Sequence, residues 1–303
     1  MGRSRLGFVL CAAVLVFPGL ASGAGCPPAG YDEAALQALK ADGFTVEDTA
    51  ERQALALALV DCLADPDPAL RDGIAYEALG TWLRADTLDA DTRRALLDTL
   101  LPWIAPDAEP GDGFRAPFAA LALSEVARTD RVAAWLDPAA RDALVEAAAA
   151  YVESVDDYRG FDETDGWRHG VAHGADLLMQ LALNAAVTNG QKARLLDAVA
   201  AQVAPAGEHF YVYGEPERLA RPVLFVLGAK AIDDAAWKAW LQKIAAPAPL
   251  ASWREAYGSQ AGLAKRHNTR AFLLALYAGT LGSDDPAMQA AAAAIAETLR
   301  TVG

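Results

Sequence analysis

Five strongly apolar segments recur along the chain, and their spacing restricts the folds that the chain can adopt. Their centres lie near residues 77, 121, 176, 222 and 270. More charged, amphipathic segments lie between them, and both kinds carry their apolar residues at helical spacing. Inner and outer helices that alternate at intervals of roughly 40–47 residues are typical of helical-hairpin repeats. We therefore predict an all-α fold, either a HEAT/armadillo-like α-solenoid or its closed relative, an α/α toroid.

The rest of the sequence favours one helical domain. Hydrophobic residues make up 53% of the chain and many of them are Ala, which favours helix over strand. We expect no strand, and we interpret the aromatic run 209–213 as a loop because its neighbours are helical; the alternative is a small β subdomain around Val212. No linker rich in Gly, Ser or Pro divides the chain, so we expect a single helical-repeat domain over residues 24–303.

Residues 1–23 have the three-part pattern of a secretory signal peptide. Arg3 and Arg5 precede an apolar run that ends in small residues, and we expect cleavage after Gly23. The protein is then exported, and we expect it to be soluble in the periplasm. The alternative is a lipoprotein acylated at Cys26, but Gly23 stands where lipoprotein signals favour Leu. No later segment has 18 uninterrupted apolar residues, so we expect no membrane span.

The charge and the cysteines narrow the choice of partners and of compartment. The chain has 40 acidic and 26 basic residues, which give a net charge of −14. Such a surface repels nucleic acids and anionic membranes, so we expect no nucleic-acid partner. Cys11 belongs to the expected signal peptide. Cys26 and Cys62 remain as an even pair, which predicts a disulfide in an oxidising compartment.

The central apolar segment carries four polar residues on one face. His169, His173, Asp176 and Gln180 occupy positions i, i+4, i+7 and i+11, which fall within an arc of roughly 60° on a helical wheel. Most other residues of this segment are apolar or small. The pattern predicts a buried inner helix whose polar stripe lines a cavity or a groove.

Three interpretations of this stripe remain open. His169 and His173 have the spacing with which two imidazoles hold a divalent transition metal, with Asp176 as a third ligand and either His209 or His267 completing the site. A second interpretation makes the histidines and the carboxylate a general acid–base pair. The third is structural: a buried polar ladder, hydrogen-bonded to arginines of neighbouring inner helices, would set the helix register.

Each interpretation requires partners for the stripe, because an unpaired buried polar group costs roughly 1–3 kcal/mol. We expect Arg115, together with Arg218 or Arg221, to approach it from adjacent inner helices. The acidic run Asp162–Asp165 could supply paired catalytic acids, but the simpler interpretation is that it caps the central helix. The residues that we expect to contact a ligand are Arg115, Trp167, Gln180, Arg218, Arg221 and Asn268.

Several motifs of the chain also occur together in a known family. The most specific is Gly-Trp-x-His-x-x-Ala-His-x-x-Asp at 166–176. The other motifs lie at 71–76, 114–121 and 159–160, with weaker agreement at 266–268 and 272–273. In these segments, which span most of the chain after residue 23, the sequence resembles an uncharacterised bacterial family, domain of unknown function 2785. The resemblance implies an all-helical repeat fold and no established activity. The chain departs from the family pattern at Ala116, where a Ser-like residue is expected, which weakens any role for a hydroxyl there.

These observations lead to two functional hypotheses. The first is an exported binding or scaffold protein whose inner helices line a polar groove for a small-molecule, peptide or glycan ligand. The second is a metal- or acid/base-dependent enzyme, a hydrolase or a glycan-active enzyme, centred on His169, His173 and Asp176. No cofactor is certain from the sequence, and a divalent transition metal is the candidate.

Overall fold

A computed structural model describes residues 25–303, which are mostly helical. The expected signal peptide, residues 1–23, lies outside the described residues. The expectation of no strand was wrong, because Phe161–Asp162 (β1) pairs antiparallel with Gly166–Trp167 (β2). This hairpin lies in the acidic segment before the central helix, whereas the aromatic run 209–213 is irregular, as expected.

Thirteen α-helices follow one another through the described residues, and three 3₁₀ turns and one π-helical turn accompany them. The helices are α1 Glu33–Ala41, α2 Thr49–Ala58, α3 Pro68–Leu70, α4 Glu77–Arg84, α5 Ala90–Leu100, α6 Arg115–Val132, α7 Pro138–Ser154, α8 Gly170–Leu183, α9 Asn189–Gln202, α10 Glu215–Gly228, α11 Asp234–Ile244, α12 Gln260–Thr280 and α13 Pro286–Thr301. The 3₁₀ turns are Asp61–Ala64, Leu101–Ile104 and Trp253–Gly258, and the π-helical turn Arg71–Tyr76 joins α3 to α4.

Side-chain caps explain where many of these helices begin. At α7, the Asp137 carboxylate accepts a hydrogen bond from the Ala140 N–H, and Pro138 occupies the first helical position, where its missing N–H costs nothing. Asp32, Asp89, Asp233 and Asp285 cap their helices in the same way. Asp48 caps α2, because its side chain accepts a hydrogen bond from the Glu51 N–H at 2.9 Å.

The strongly apolar helices pack in sequence order as an inner row. Helix α4 contacts α6, α6 contacts α8, α8 contacts α10, and α10 contacts α12. The intervening helices α5, α7, α9, α11 and α13 lie beside them, and α7 also packs on α9. Burial of apolar side chains, such as Phe118 on α6 and Leu177 on α8, holds neighbouring helices together. The prediction of an all-helical chain of packed helix pairs is therefore confirmed, with the hairpin as an exception.

The predicted disulfide between Cys26 and Cys62 is present. It ties the start of the described chain to the first 3₁₀ turn over a separation of 36 residues. Closure of a loop of this length stabilises a fold by about 3–4 kcal/mol in the chain-entropy account. The bond is compatible with export, and it occupies the Cys26 sulfur that a lipoprotein would acylate. Among the described residues, no helix has the length and apolar character needed to cross a membrane.

Candidate functional site

Helix α8 presents the polar stripe on the side that faces away from α7. On its other side, Gly174 allows the close approach of α7, because a Cβ at this position would lie 2.7 Å from Cγ2 of Val152. The stripe begins just outside the helix. His169 is the N-cap residue and has a left-handed backbone with φ = 59°. This conformation is uncommon for a residue with a side chain, and it marks a position that the surrounding structure constrains.

The two stripe histidines are buried side by side. Their ring centroids lie 5.8 Å apart, and the His173 ring meets Phe118 of α6 edge-on at 5.1 Å. In each ring Nδ1 is buried without a hydrogen-bond partner. Burial lowers the pKa of His169 to about 4 and that of His173 to about 3, and the positive charge of Arg218 contributes to both shifts. Both imidazoles are therefore neutral near pH 7.

The third stripe residue, Asp176, binds arginines of the next inner helix. Its carboxylate forms an ion pair with Arg218 of α10, and Arg221 lies 3.8 Å away. Burial raises the pKa of Asp176, and the two guanidinium groups oppose this shift. The carboxylate is 12% exposed, whereas the side chains of Arg218 and Arg221 are 36% and 47% exposed. The arginines therefore cover the carboxylate and still reach solvent.

A second carboxylate–arginine pair lies on the neighbouring inner helices, and the sequence interpretation missed it. Arg84 of α4 donates from Nε to Oε2 of Glu125 on α6 at 3.0 Å. Burial, followed by the charge of Glu125, raises the pKa of Tyr76 to about 12, so its phenol stays protonated. The charge of Glu125 also raises the pKa of Asp176, so the two carboxylates lie within electrostatic range. A lone Glu in the apolar α6 segment is the signal that could have revealed this pair.

The stripe ends at Gln180, whose Oε1 accepts a hydrogen bond from Nε of Arg131 on α6 at 2.9 Å. Polar side chains from α6, α8 and α10 and from the Arg71–Tyr76 and α4 segments thus form pairs that bridge α4 to α6, α6 to α8 and α8 to α10. We call this set the inner polar row. Its members are Tyr76, Arg84, Glu125, Arg131, His169, His173, Asp176, Gln180, Arg218 and Arg221.

Three exposed aromatic rings stand at the His169 end of the inner polar row. Phe161 and Trp167 of the hairpin have ring centroids 5.1 Å apart, and Tyr213 meets Trp167 edge-on at 5.8 Å. Their exposed fractions are 48%, 39% and 39%, which is unusual for large aromatic side chains. The Trp167 ring also lies 4.7 Å from the His169 ring. We call these three rings the aromatic cluster, and it is continuous with the row.

Buried arginines position the hairpin that carries Phe161 and Trp167. Arg71 is fully buried, donates to the Asp165 carbonyl at 2.7 Å and stacks over Phe114 at 4.0 Å. The Arg168 guanidinium contacts the same Phe114 ring at 4.2 Å. Arg71 therefore connects the π-helical turn to the hairpin, which lies 94 residues later in the chain. Trp167 is held in place by the hairpin rather than packed into the core.

The acidic run 162–165 shapes the hairpin turn instead of capping the central helix. Oδ1 of Asp162 accepts hydrogen bonds from the N–H groups of Thr164 and Asp165, at 2.8 and 3.1 Å. The Asp165 carboxylate pairs with Arg168 at 3.0 Å. The expected helix cap was wrong, because the hairpin and the His169 backbone separate these acids from the first turn of α8.

Two residues expected in the site lie elsewhere. Arg115 does not approach the stripe, because its guanidinium lies over the Trp103 ring at 5.0 Å. Asn268 is fully buried, and its amide bonds the backbone of the 209–211 segment: it accepts from the Tyr211 N–H at 2.9 Å and donates to the His209 carbonyl at 3.0 Å. Asn268 therefore holds the segment that precedes Tyr213. The structure does bring together Trp167, Gln180, Arg218 and Arg221 with the stripe.

The stripe is not arranged as a metal centre. In residues 25–303, no group of three or more His, Cys, Asp or Glu side chains is placed to hold a metal ion. Asp176 instead faces two guanidinium groups, whose charge opposes a cation at this position. His209 stacks on Tyr158, and His267 contacts Phe210 and the Tyr211 carbonyl, so neither histidine completes a site.

Comparisons with known proteins identify a family without an assigned activity. The sequence profile of the family described as "Protein of unknown function (DUF2785)" matches residues 108–278. The matched region contains the aromatic cluster and every member of the inner polar row except Tyr76 and Arg84. A search of curated proteins and a search of solved structures each found no match.

Proposed function

We propose that this chain, which belongs to the DUF2785 family of unknown activity, is an exported binding protein. In this proposal it holds its ligand on the inner polar row and the aromatic cluster. The proposed scaffold is a helical-hairpin repeat, in which the inner helices α4, α6, α8, α10 and α12 stack side by side and the outer helices α5, α7, α9, α11 and α13 alternate with them along the chain. The sequential contacts along the inner row of helices support this repeat architecture.

The observation that carries the proposal is the unequal exposure within the ion pairs of the row. Glu125 and Asp176 are buried, but the side chains of their partners Arg84 and Arg218 are 57% and 36% exposed. A guanidinium group has five N–H donors in a rigid fork, and a single carboxylate leaves some of them free. The row therefore presents oriented donors, already held in place, to a ligand on its solvent side.

The chemistry of the stripe favours binding over acid–base catalysis. A general base is most effective when its pKa lies near the working pH. The pKa values of His169 and His173, at about 4 and about 3, lie far below neutrality. Asp176 is engaged by Arg218 and Arg221, which stabilise its charged form. These groups suit the orientation of polar ligand atoms more than proton transfer.

A binding screen with matched variants tests the proposal. Immobilised oligosaccharides and short peptides, both neutral and charged, are probed with the purified protein and with Trp167→Ala and Tyr257→Ala. Trp167 belongs to the aromatic cluster, whereas Tyr257 is an exposed ring on the turn Trp253–Gly258. We expect Trp167→Ala to weaken binding at least about tenfold, a loss typical of an aromatic anchor. Tyr257→Ala is the control and should bind as the wild type does.

Two results would contradict the proposal. A ligand that binds both variants equally well would place the binding surface elsewhere. A bound ligand that the wild type converts to product, and that Asp176→Asn or His169→Ala leaves intact, would instead establish the enzymatic hypothesis.

A further inference from the structure

We infer that the ligand of this surface is an acidic oligosaccharide, a chain of sugar rings that carries carboxylate or other anionic groups. The inference rests on the proposed function and adds the chemical class of the ligand. It follows from three observations: the local charge of the inner polar row, the free donors of its arginines, and the exposed rings at its end.

The charge of the row is opposite to that of the protein. The whole chain has a net charge of −14. The row has four guanidinium groups, those of Arg84, Arg131, Arg218 and Arg221, but only two carboxylates. Its imidazoles and its phenol are neutral near pH 7. A local excess of positive charge on an acidic protein attracts an anionic ligand and disfavours a cationic one.

The exposed groups of the row are mainly hydrogen-bond donors, because its arginines reach solvent and its two carboxylates are buried. The carboxylates of Glu125 and Asp176 accept hydrogen bonds, while the guanidinium groups beside them only donate. Sugar hydroxyls and carboxylates both accept hydrogen bonds, so the free N–H groups of these arginines can bond successive groups of an acidic sugar chain.

The aromatic cluster supplies the apolar part of the site. One face of a pyranose ring presents C–H groups, and these pack well against the face of an aromatic side chain. Phe161 and Trp167 are inclined by 55°, and Trp167 and Tyr213 by 87°, so the three rings form a corner rather than a flat platform. Phe161 and Tyr213 also line a cleft of about 570 Å³, within the size range of ligand sites, together with Arg159, Arg168, Asp162 and Asp165.

The length of the row indicates several sugar rings. Eleven residues separate His169 from Gln180, and at a rise of 1.5 Å per residue they span about 16 Å. The aromatic cluster extends the surface beyond His169. A single sugar would contact only part of this surface, whereas an oligosaccharide can contact the rings and several arginines together.

Calorimetric titration tests the inference with defined probes. The acidic probes are tetragalacturonate, an alginate tetramer and a hyaluronan tetrasaccharide; maltotetraose and cellotetraose are neutral, and tetraglutamate is an acidic peptide. We expect at least one acidic oligosaccharide to bind more tightly than every neutral probe and than tetraglutamate. Its affinity should fall several-fold when the salt is raised from about 20 mM to about 200 mM, because salt screens the arginines.

Two variants separate the charge from the rings. Arg221→Gln should weaken the acidic ligand about tenfold and reduce its salt dependence, whereas Arg221→Lys, which keeps the charge, should lose less. Trp167→Ala should weaken acidic and neutral sugars alike. Tyr257→Ala serves again as the control, and thermal unfolding of each variant verifies that it is folded.

The outcomes distinguish this inference from the proposed function. If a neutral sugar or tetraglutamate binds best and its binding depends on Trp167, the acidic-oligosaccharide assignment is wrong and the binding function stands. If no probe and no immobilised ligand of the screen binds through Trp167, both fail. Binding of an acidic oligosaccharide that ignores Arg221 and salt would also overturn the inference.

Discussion

Helices α6 and α8 each carry a buried aspartate that pairs with arginine, and the two pairs differ in how completely they are satisfied. Asp130 of α6 receives two hydrogen bonds from Arg141 of α7, at 2.8 and 3.0 Å. It also accepts from the N–H groups of Trp135 and Leu136 and from the side-chain amide of Asn184. Burial opposes ionisation of Asp130, but these donors outweigh it and lower its pKa.

Asp176 accepts hydrogen bonds from fewer donors than Asp130 does, and its arginines are more exposed to solvent. Burial raises the pKa of Asp176 despite Arg218 and Arg221, and both arginines are partly exposed. The Arg141 side chain, in contrast, is only 8% exposed. The Asp130–Arg141 pair is buried and fully hydrogen-bonded, and it holds α6, α7 and the loop after α6 together. The pair of Asp176 with its arginines is partly exposed and has free N–H donors, so it contributes less to stability and can still bond a ligand.

Removal of Asp130 should have the largest effect on stability. Asp130→Ala leaves the Arg141 guanidinium buried without its carboxylate, and it also removes acceptors for two backbone N–H groups. We expect a loss of about 3–5 kcal/mol in the free energy of unfolding. Urea denaturation at pH 7 measures this loss. A change below about 1 kcal/mol would show that the pair does not hold these helices together.

Acid should act mainly through the stripe histidines. Their pKa values are lowered from 6.5 to about 4 and about 3, so the unfolded chain binds more protons than the folded one between these values. Their contribution to stability is therefore complete above about pH 6.5 and is lost as the pH falls toward 4. We expect a slope of about 2.5 kcal/mol per pH unit near pH 5, about half of it from each histidine.

Two variants assign this slope to the stripe. His173→Gln should make the stability of the protein less dependent on pH between 6.5 and 4, whatever its effect at pH 7. His267→Gln replaces an exposed imidazole and should keep the slope of the wild type. Equal slopes in all three proteins would show that the stripe histidines are not the groups that titrate. Asp130, whose pKa is lowered, loses its contribution only as the pH falls below about 3.8.

Asp176→Asn should affect stability less than Asp130→Ala and His173→Gln do. The pKa of Asp176 is raised, so its ionised form is less favourable in the folded chain than in the unfolded one above about pH 4. The amide removes this cost and keeps a similar volume, and we expect a change within about 1 kcal/mol. Urea denaturation measures it, and calorimetric titration should show weaker ligand binding. If Asp176→Asn lowered the free energy of unfolding as much as Asp130→Ala does, the inner polar row would have a structural role instead of a binding role.

Local sequence determined most of the secondary structure and the identity of the central helix. Apolar periodicity and caps such as Asp137–Pro138 act within a few residues, so they can be read without knowledge of the rest of the chain. The even pair Cys26 and Cys62 predicted the disulfide for a similarly simple reason. A helical-wheel projection of the sequence predicted that His173, Asp176 and Gln180 lie on one face, because helical geometry is the same in every protein. It also included His169, which lies just outside the helix.

Only the tertiary structure decided which side chains meet across helices. Arg115 and Arg218 were equally plausible partners for the stripe, but α6 turns Arg115 toward Trp103, while α10 brings Arg218 to Asp176. The pair of Arg84 with Glu125 spans 41 residues, and the contact of Arg71 with the hairpin spans 94. The hairpin strands are two residues long, too short for an alternating pattern, and Arg71 holds them from outside. Periodicity specifies the face of a helix, whereas the partner of that face depends on the packing of the whole chain.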